Sequence, residues 1–278
     1  MHTATLMTEH PSWHLAEDGS AHRAVRYDGA PWYVRWDGAG LTSLPLGGAD
    51  RPPPPVRSTT PAGLPSTPAA GPLNARLRKL GTVVRLANPS LWDAVATAVL
   101  RQVVQAAQAR KVHRNLSAAH GEHVATDAGP LALVPAPETV IGLSDERFRE
   151  VGALFFAPKL RSAARAYLEC HSHWLTLDGE QLAKELVTVD GIGPWTAAAA
   201  TADFTGDLSH YPYGDLAVRT WARAAAPELE LPRKEAEFSA LWRSWAPERD
   251  TLHTLTLFTL TWGSHARRTP HGGPSPRP

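Results

Sequence analysis

Residues 186–223 read LVTVDGIGPWTAAAATADFTGDLSHYPYGDLAVRTWAR, and their reading decides the fold. The stretch begins at the end of a helix expected over residues 180–187, whose apolar face carries Leu182, Leu186 and Val187. Asp190-Gly191-Ile192-Gly193 follows as a hairpin, two glycines around one aliphatic residue, which lets the backbone turn tightly and present consecutive N–H groups. Pro194 opens the next helix, where a first-turn residue has no intrahelical N–H bond to lose. Donors gathered at a helix N-terminus form a seat for a phosphate oxygen. The stretch closes on an acid, Asp215, directly ahead of the helical run LAVRTWARAA.

The rest of the chain bounds what that hairpin can serve. At 278 residues there is length for one large domain, or one large and one small. A formal charge of +1 excludes a broadly basic surface, so any contact with nucleic acid is local. The positive charge is mostly arginine, with lysine only at 79, 111, 159, 184 and 234, and arginine suits bidentate phosphate contacts. A single cysteine, Cys170, excludes internal disulfides and a four-cysteine iron–sulfur cluster, and fits a reducing compartment. Cys170-His171-Ser172-His173 has no tetrahedral zinc spacing and reads as a helix end. No apolar run approaches the roughly 20 residues of a membrane span, and the N-terminus lacks a signal pattern. A cytoplasmic, nucleoid-associated protein with no membrane partner is expected.

Residues 1–50 read as a small β-rich region: HRAVRY, WYVRW and LTSLPL are strands parted by Asp28-Gly29-Ala30-Pro31 and Asp37-Gly38-Ala39-Gly40. Residues 51–72, RPPPPVRSTTPAGLPSTPAAGP, read as an aperiodic proline-rich linker. From Leu73 the pattern turns helical. Asn88-Pro89-Ser90 starts one long helix through LWDAVATAVLRQVVQAAQARKVHRNL, and residues 121–137 form a loop. Ser144 caps DERFREVGALFF, KLRSAARAYLECHSHWL is a further helix, and two more follow residue 230. The expectation is a mostly α domain over 73–268 with a disordered tail over 269–278, the tail composition beginning at Arg267.

GIGPWTA, followed after a spacer by an aspartate opening a helix, resembles the helix-hairpin-helix DNA glycosylase superfamily. The tryptophan at the hairpin exit points to its branch of 3-methyladenine DNA glycosylase II enzymes. NPSLWDAVATAVLRQVV, GLSDERFREVGALFFAPKLRSAARAYLE and WRSWAPERDTLHTLTLFTLTWG resemble further segments of that superfamily, in the same order, over residues 73–265. Residues 1–72 show no such resemblance. It implies the helix-hairpin-helix glycosylase fold, a monomer, and a partner in double-stranded DNA that carries a damaged base.

The resemblance also assigns residues. Asp215 matches the catalytic aspartate, a carboxylate that stabilises the positive sugar formed when the bond from C1′ to the base breaks, and that orients or deprotonates water. Its plain alternative is an N-cap. Trp195 stands where strand-cleaving members carry the lysine that attacks C1′, so the implied reaction is monofunctional, releasing a free base and leaving an abasic site. Trp195 is also an expected pocket wall for an electron-poor base, or simply a packing residue. Where the branch has further pocket aromatics this chain has Ala199, Leu216 and Leu257, which implies a wider pocket and opens the substrate to adducts bulkier than methyl groups. Val189, Asp190, Gly191, Ile192, Gly193 and Thr196 are expected to hold a DNA phosphate. The hairpin carbonyls of Thr188, Val189 and Ile192 are implied as the seat of a Na+ or K+ ion, with no other cofactor and no side-chain metal site. Gln102 and Val103 are the expected wedge into the gap left by a flipped nucleotide, or a core pair, and Lys159, Arg161 and Arg165 flank DNA or form a solvated face. The expected function is base excision of alkylated purines of the 3-methyladenine or 7-methylguanine type, or bulkier. The alternatives are an inert DNA-binding protein, and a glycosylase for other damaged bases, including self-resistance to a DNA-alkylating natural product.

Overall fold

The computed structural model describes residues 4–47 and 51–266; the expected tail from Arg267 lies outside them. Strands β1 (Ala4–Leu6), β2 (His14–Leu15), β3 (Ala21–Tyr27), β4 (Ala30–Trp36) and β5 (Leu41–Pro45) open the chain. The three expected strands are β3, β4 and β5, and with β2 they form an antiparallel sheet in the order β2-β3-β4-β5. Asp28 and Gly29 both take positive φ, 49° and 74°, between the paired ends Tyr27 and Ala30. That is the two-residue turn whose twist matches a hairpin. Along β4, Trp32, Val34 and Trp36 share one buried cluster with Leu6, Trp13 and Val25, while Tyr33 packs on the opposite face against Val124 and Leu131. This is the period-2 alternation of a strand buried on both sides.

The proline-rich stretch 51–72 is not a bare linker. Strand β6 (Val56–Thr59) pairs antiparallel with β7 (Thr82–Leu86), whose other edge takes β1 in parallel. Prolines confine the segment before β6 to a sheet edge, but the next residues, VRST, keep every donor and pair. Strand β7 also corrects the expectation of uninterrupted helix from Leu73: after α1 (Gly71–Leu77), the run TVVRL is β-branched and half of its pairing comes from residues near the N-terminus.

The long helix expected after Ser90 is two helices, α2 (Leu91–Leu100) and α3 (Ala106–His120). Ser90 caps α2 as read, its hydroxyl accepting from the Asp93 N–H at 3.2 Å. The break falls where Val103 adopts φ +50°, a conformation β-branched residues avoid, with its side chain 84% exposed. Residues read as a loop after Gly121 hold a short hairpin of β8 (His123–Val124) and β9 (Leu131–Ala132). Helices α4 (Pro137–Gly142), α5 (Asp145–Glu150) and α6 (Ala157–Trp174) follow. Ser144 caps α5 as expected, but the helix stops short of Phe155 because Gly152 turns the chain at φ +75°. Last come α7 (Gly179–Val187), α8 (Pro194–Thr205), α9 (Leu216–Ala225), α10 (Glu235–Trp245) and α11 (Arg249–Ala266). Helix α8 packs against both α2 and α7 and runs into one apolar core shared by the helices. That contact fixes the break after α2 against the hairpin before α8. No described helix is long and apolar enough to cross a membrane.

Candidate active site

The hairpin between α7 and α8 is anchored from below by Ile192 and Val189, both buried, and closed by the Ile192 N–H donating to the Val189 carbonyl at 3.0 Å. Its two glycines have different reasons to be there. Gly191 takes φ +82°, and a Cβ on it would lie 2.7 Å from Lys159 Cγ. Gly193 has ordinary φ −83° with nothing within 4 Å of an added Cβ, so the fold alone does not demand glycine there. A backbone that must approach a ligand closely does. Gly193→Ala is therefore expected to change stability by less than about 1 kcal/mol yet weaken duplex binding by about tenfold, the worth of one charge-assisted hydrogen bond. Gly191→Ala is expected to lower stability as well, by about 1–2 kcal/mol for the left-handed backbone. Thermal melts and binding titrations of the two variants separate these effects; equal losses in both would contradict this reading of Gly193.

An open groove of about 620 Å³ runs over the hairpin, lined by residues 187–193, Trp195, Thr196, Gln102, Val103 and Lys159. Gln102 binds the groove together. Its amide donates to the Gly191 carbonyl at 3.0 Å and to Thr196 Oγ1 at 2.6 Å, and its oxygen accepts from Lys159 Nζ at 2.7 Å. Val103, the next residue, is thereby held out over the groove. The expected DNA-contacting set is thus brought together with two corrections. Arg161 does not line the groove: it donates to the Leu143 carbonyl at 2.6 Å, pairs with Asp145 at 2.7 Å and lies over the Phe148 ring, fixing the turn between α4 and α5. The Thr196 hydroxyl, bound to Gln102 and 2% exposed, is a brace rather than a surface donor.

Asp215 caps α9, its Oδ2 accepting from the Ala217 N–H at 3.1 Å. It also does more than cap. The Trp195 indole N–H donates to Oδ1 at 3.0 Å and the Tyr211 hydroxyl to Oδ2 at 3.3 Å. Burial pushes the Tyr211 phenol up, and the charge of Asp215 adds to that against an opposing Arg101, so the phenol stays a proton donor to the carboxylate. Tyr211, in the turn just ahead of α9, and Trp195, in the first turn of α8, thus hold one carboxylate beside the groove that Trp195 lines. Tyr211 carried no signal of its own; YPYGD reads as a turn.

The expected pocket residues separate. Ala199 lines a small cavity beside Tyr211 and Arg101, Trp195 lines the groove, and Leu216 stands 64% exposed. Leu257 is a correction: at 1% exposure it lies in the helical core and reaches neither opening.

A buried charge cluster escaped the sequence reading. Asp93 pairs with Arg23 at 3.1 Å and lies 3.5 Å from His10 and 3.7 Å from His113. Asp203, in α8, accepts from Arg85 at 2.9 Å and from Asn88 at 2.8 Å. Burial, helped by Arg23, pulls His10 down to about 4 against the pull of Asp93. Burial raises the carboxyl of Asp93, but the charges and hydrogen bonds of His10, His113 and Arg23 outweigh it and hold the group well below the usual range. The cluster joins residues near the N-terminus to α2, α3 and α8, positions no spacing rule connects. Asp207, just past the end of α8, is held by Arg249 at 2.6 Å.

No protein-family model and no curated protein matches the chain. Solved structures do. The 3-methyladenine DNA-glycosylase from Archaeoglobus fulgidus is similar with a TM-score of 0.69 at 18% identity, covering 91% of both chains. MBOgg1, solved in complex with a low-affinity DNA ligand, is similar with a TM-score of 0.66 at 16% identity over 92% of this chain and 89% of its own. The Clostridium acetobutylicum 8-oxoguanine glycosylase/lyase, in complex with double-stranded DNA carrying cytosine opposite 8-oxoguanine, gives 0.64 at 14% identity over 95% and 90%. Likeness across nine tenths of the chain includes the β-rich region, for which the sequence showed no resemblance. The protein therefore has the mostly α fold of the helix-hairpin-helix DNA glycosylases, with a small β-rich N-terminal part.

Proposed function

We propose that this protein is a monofunctional DNA glycosylase that flips a damaged purine out of duplex DNA and hydrolyses its N-glycosidic bond. The observation that carries the reading is the Asp215 carboxylate, held between the Trp195 indole and the Tyr211 phenol beside a groove built on the hairpin. The N–H groups of Asp190, Gly191 and Gly193 grip one phosphate, those of Val189 and Ile192 being spent on the Leu186 and Val189 carbonyls, and Val103, forced outward on a strained backbone, fills the gap the nucleotide leaves. The carbonyls of Thr188, Val189 and Ile192 are the proposed seat of a monovalent cation. Once the base is flipped, Asp215 stabilises positive charge on the sugar and takes a proton from the attacking water.

Trp195 in the place of an amine favours hydrolysis without strand cleavage. Damaged duplex incubated with the protein is expected to stay uncut until alkali is added, and borohydride is expected to trap no covalent complex. A borohydride-stabilised adduct would overturn the monofunctional assignment. Alkylated purines, including bulky adducts, are the proposed substrate class, and the open groove of about 620 Å³ that Trp195 lines leaves them room.

A further inference from the structure

The buried cluster around Asp93 contains three side chains that hydrogen bonding alone does not account for. His10, from the segment between β1 and β2, Asp93 of α2 and His113 of α3 place one ligand atom each within 4.8 Å of one another, and all three are buried. Asp93 Oδ1 is the focus, 3.5 Å from His10 Nε2 and 3.7 Å from His113 Nε2. Those gaps are too long for good hydrogen bonds. They lie close to the separation of about 3.4 Å between two ligands of a tetrahedral zinc ion bonded at about 2.0–2.1 Å. His113 points most directly to a ligand. At 2% exposure, neither its Nδ1 nor its Nε2 has a hydrogen-bond partner, and buried polar groups are seldom left so. The other two are held in place from outside. His10 Nδ1 meets the Ser12 hydroxyl at 2.7 Å, which turns Nε2 inward. Asp93 Oδ2 accepts from Arg23 at 3.1 Å, and the Thr97 hydroxyl donates to Oδ1 at 3.1 Å, leaving that oxygen a second lone pair. Ligands oriented by such outer partners are the usual build of a metal site. The two imidazole rings stand edge to face at 86°, with centroids 5.5 Å apart, so they do not stack on each other.

We propose that His10, Asp93 and His113 bind one divalent transition-metal ion of the zinc class. Two imidazoles and one carboxylate suit such an ion, whereas magnesium and calcium take oxygen donors. A polar cavity of about 30 Å³, lined in part by His10, Arg23 and Asp203, adjoins the cluster and has room for one water as the fourth ligand. Asp203, with Oδ2 3.8 Å from His10 Nε2, brings a second negative charge that offsets the ion beside Arg23. The imidazoles close on the ion by side-chain shifts of the kind common on binding. Sequence spacing held no trace of the site, since its ligands come from three separate segments. None of them lines the groove over the hairpin, so the role is structural and independent of the glycosylase reading. The ion ties the N-terminal segment to the two helices that flank the break at Val103, and so holds α2 and α3 in place around that strained residue.

The test uses untagged full-length protein, stripped with a chelator, loaded with zinc and dialysed into metal-free buffer. Elemental analysis is expected to find one equivalent of zinc per chain. Zinc at about a hundredfold above its dissociation constant is expected to raise the melting temperature by about 5–10 °C, and magnesium to leave it unchanged. Cobalt(II) in place of zinc is expected to show the visible bands of a four-coordinate site. His113→Leu removes one ligand and leaves no hydrogen-bond partner stranded, because His113 has none. Its metal-free form is expected to melt within a few degrees of the metal-free wild type, while the retained zinc, the zinc-induced shift and the cobalt bands all disappear. Should that variant fail to fold, His10→Gln is read in the same way. The run from Cys170 to His173 is the other place where an ion could lodge, and His171→Gln with His173→Gln is expected to keep the equivalent of zinc. No zinc retained by the wild type, or zinc still retained by the ligand variant, overturns the assignment and leaves the cluster an ion-pair network alone.

Discussion

Asp215→Asn is expected to lower single-turnover base release by about 10³-fold, the scale lost with a general base or a charge-stabilising group. Asparagine is an accepted N-cap, so the start of α9 survives. Its single amide oxygen can accept from Trp195 on one side, or from Tyr211 and the Ala217 N–H on the other, where the carboxylate now accepts from all three. One set is lost, at about 1 kcal/mol, and the melting temperature falls by only a few degrees. Affinity for duplex DNA stays, because the groove over the hairpin does not include Asp215. Rapid-quench assays with a parallel binding titration check it. Unchanged release would remove Asp215 from the chemistry, and lost binding would make it a structural residue.

The largest expected effect on stability lies elsewhere, at Asp93. Asp93→Ala leaves Arg23, 1% exposed, without its carboxylate. Breaking one half of a buried pair costs about 3–5 kcal/mol, which lowers the melting temperature by about 10 °C in a chain of this size. The same cluster sets the response of the wild type to acid. His10 has a folded pKa of about 4, below its ordinary 6.5, so the folded state binds fewer protons, and stability present above pH 6.5 is lost as pH falls toward 4. The lowered carboxyl groups of Asp93 and Asp203 add losses at still lower pH. Calorimetry from pH 7 to 4 is expected to show a falling melting temperature; a flat profile would contradict a buried neutral His10.

The helical half of the fold was legible because its signals are local. Ser90, Ser144 and Asp215 all cap the helices they precede, and the hairpin is written into consecutive residues. What stayed hidden depends on contacts between distant segments. Strand β6 looks like a linker until β7 pairs with it, and β7 takes β1, some 76 residues earlier, on its other edge. Helical periodicity runs unbroken through Val103, since a left-handed residue leaves no trace in an apolar pattern; only the bonds from Gln102 to Gly191 and Thr196 fix the break. Within the site, the sequence located Asp215 and Trp195 but could not aim them. Tyr211 and Arg101 arrive from a turn and a helix end, and Leu257 shares the apolar character of a pocket residue while lying in the core.

The central claim is that this hairpin and Asp215 serve base excision and not binding alone. The measurement that tests it most directly is chromatography of the small molecules released when excess protein meets duplex DNA carrying damaged purines. The account predicts a free purine base that appears in step with alkali-labile abasic sites, one for one. Protein that binds the duplex while no free base accumulates from any damaged DNA would contradict it.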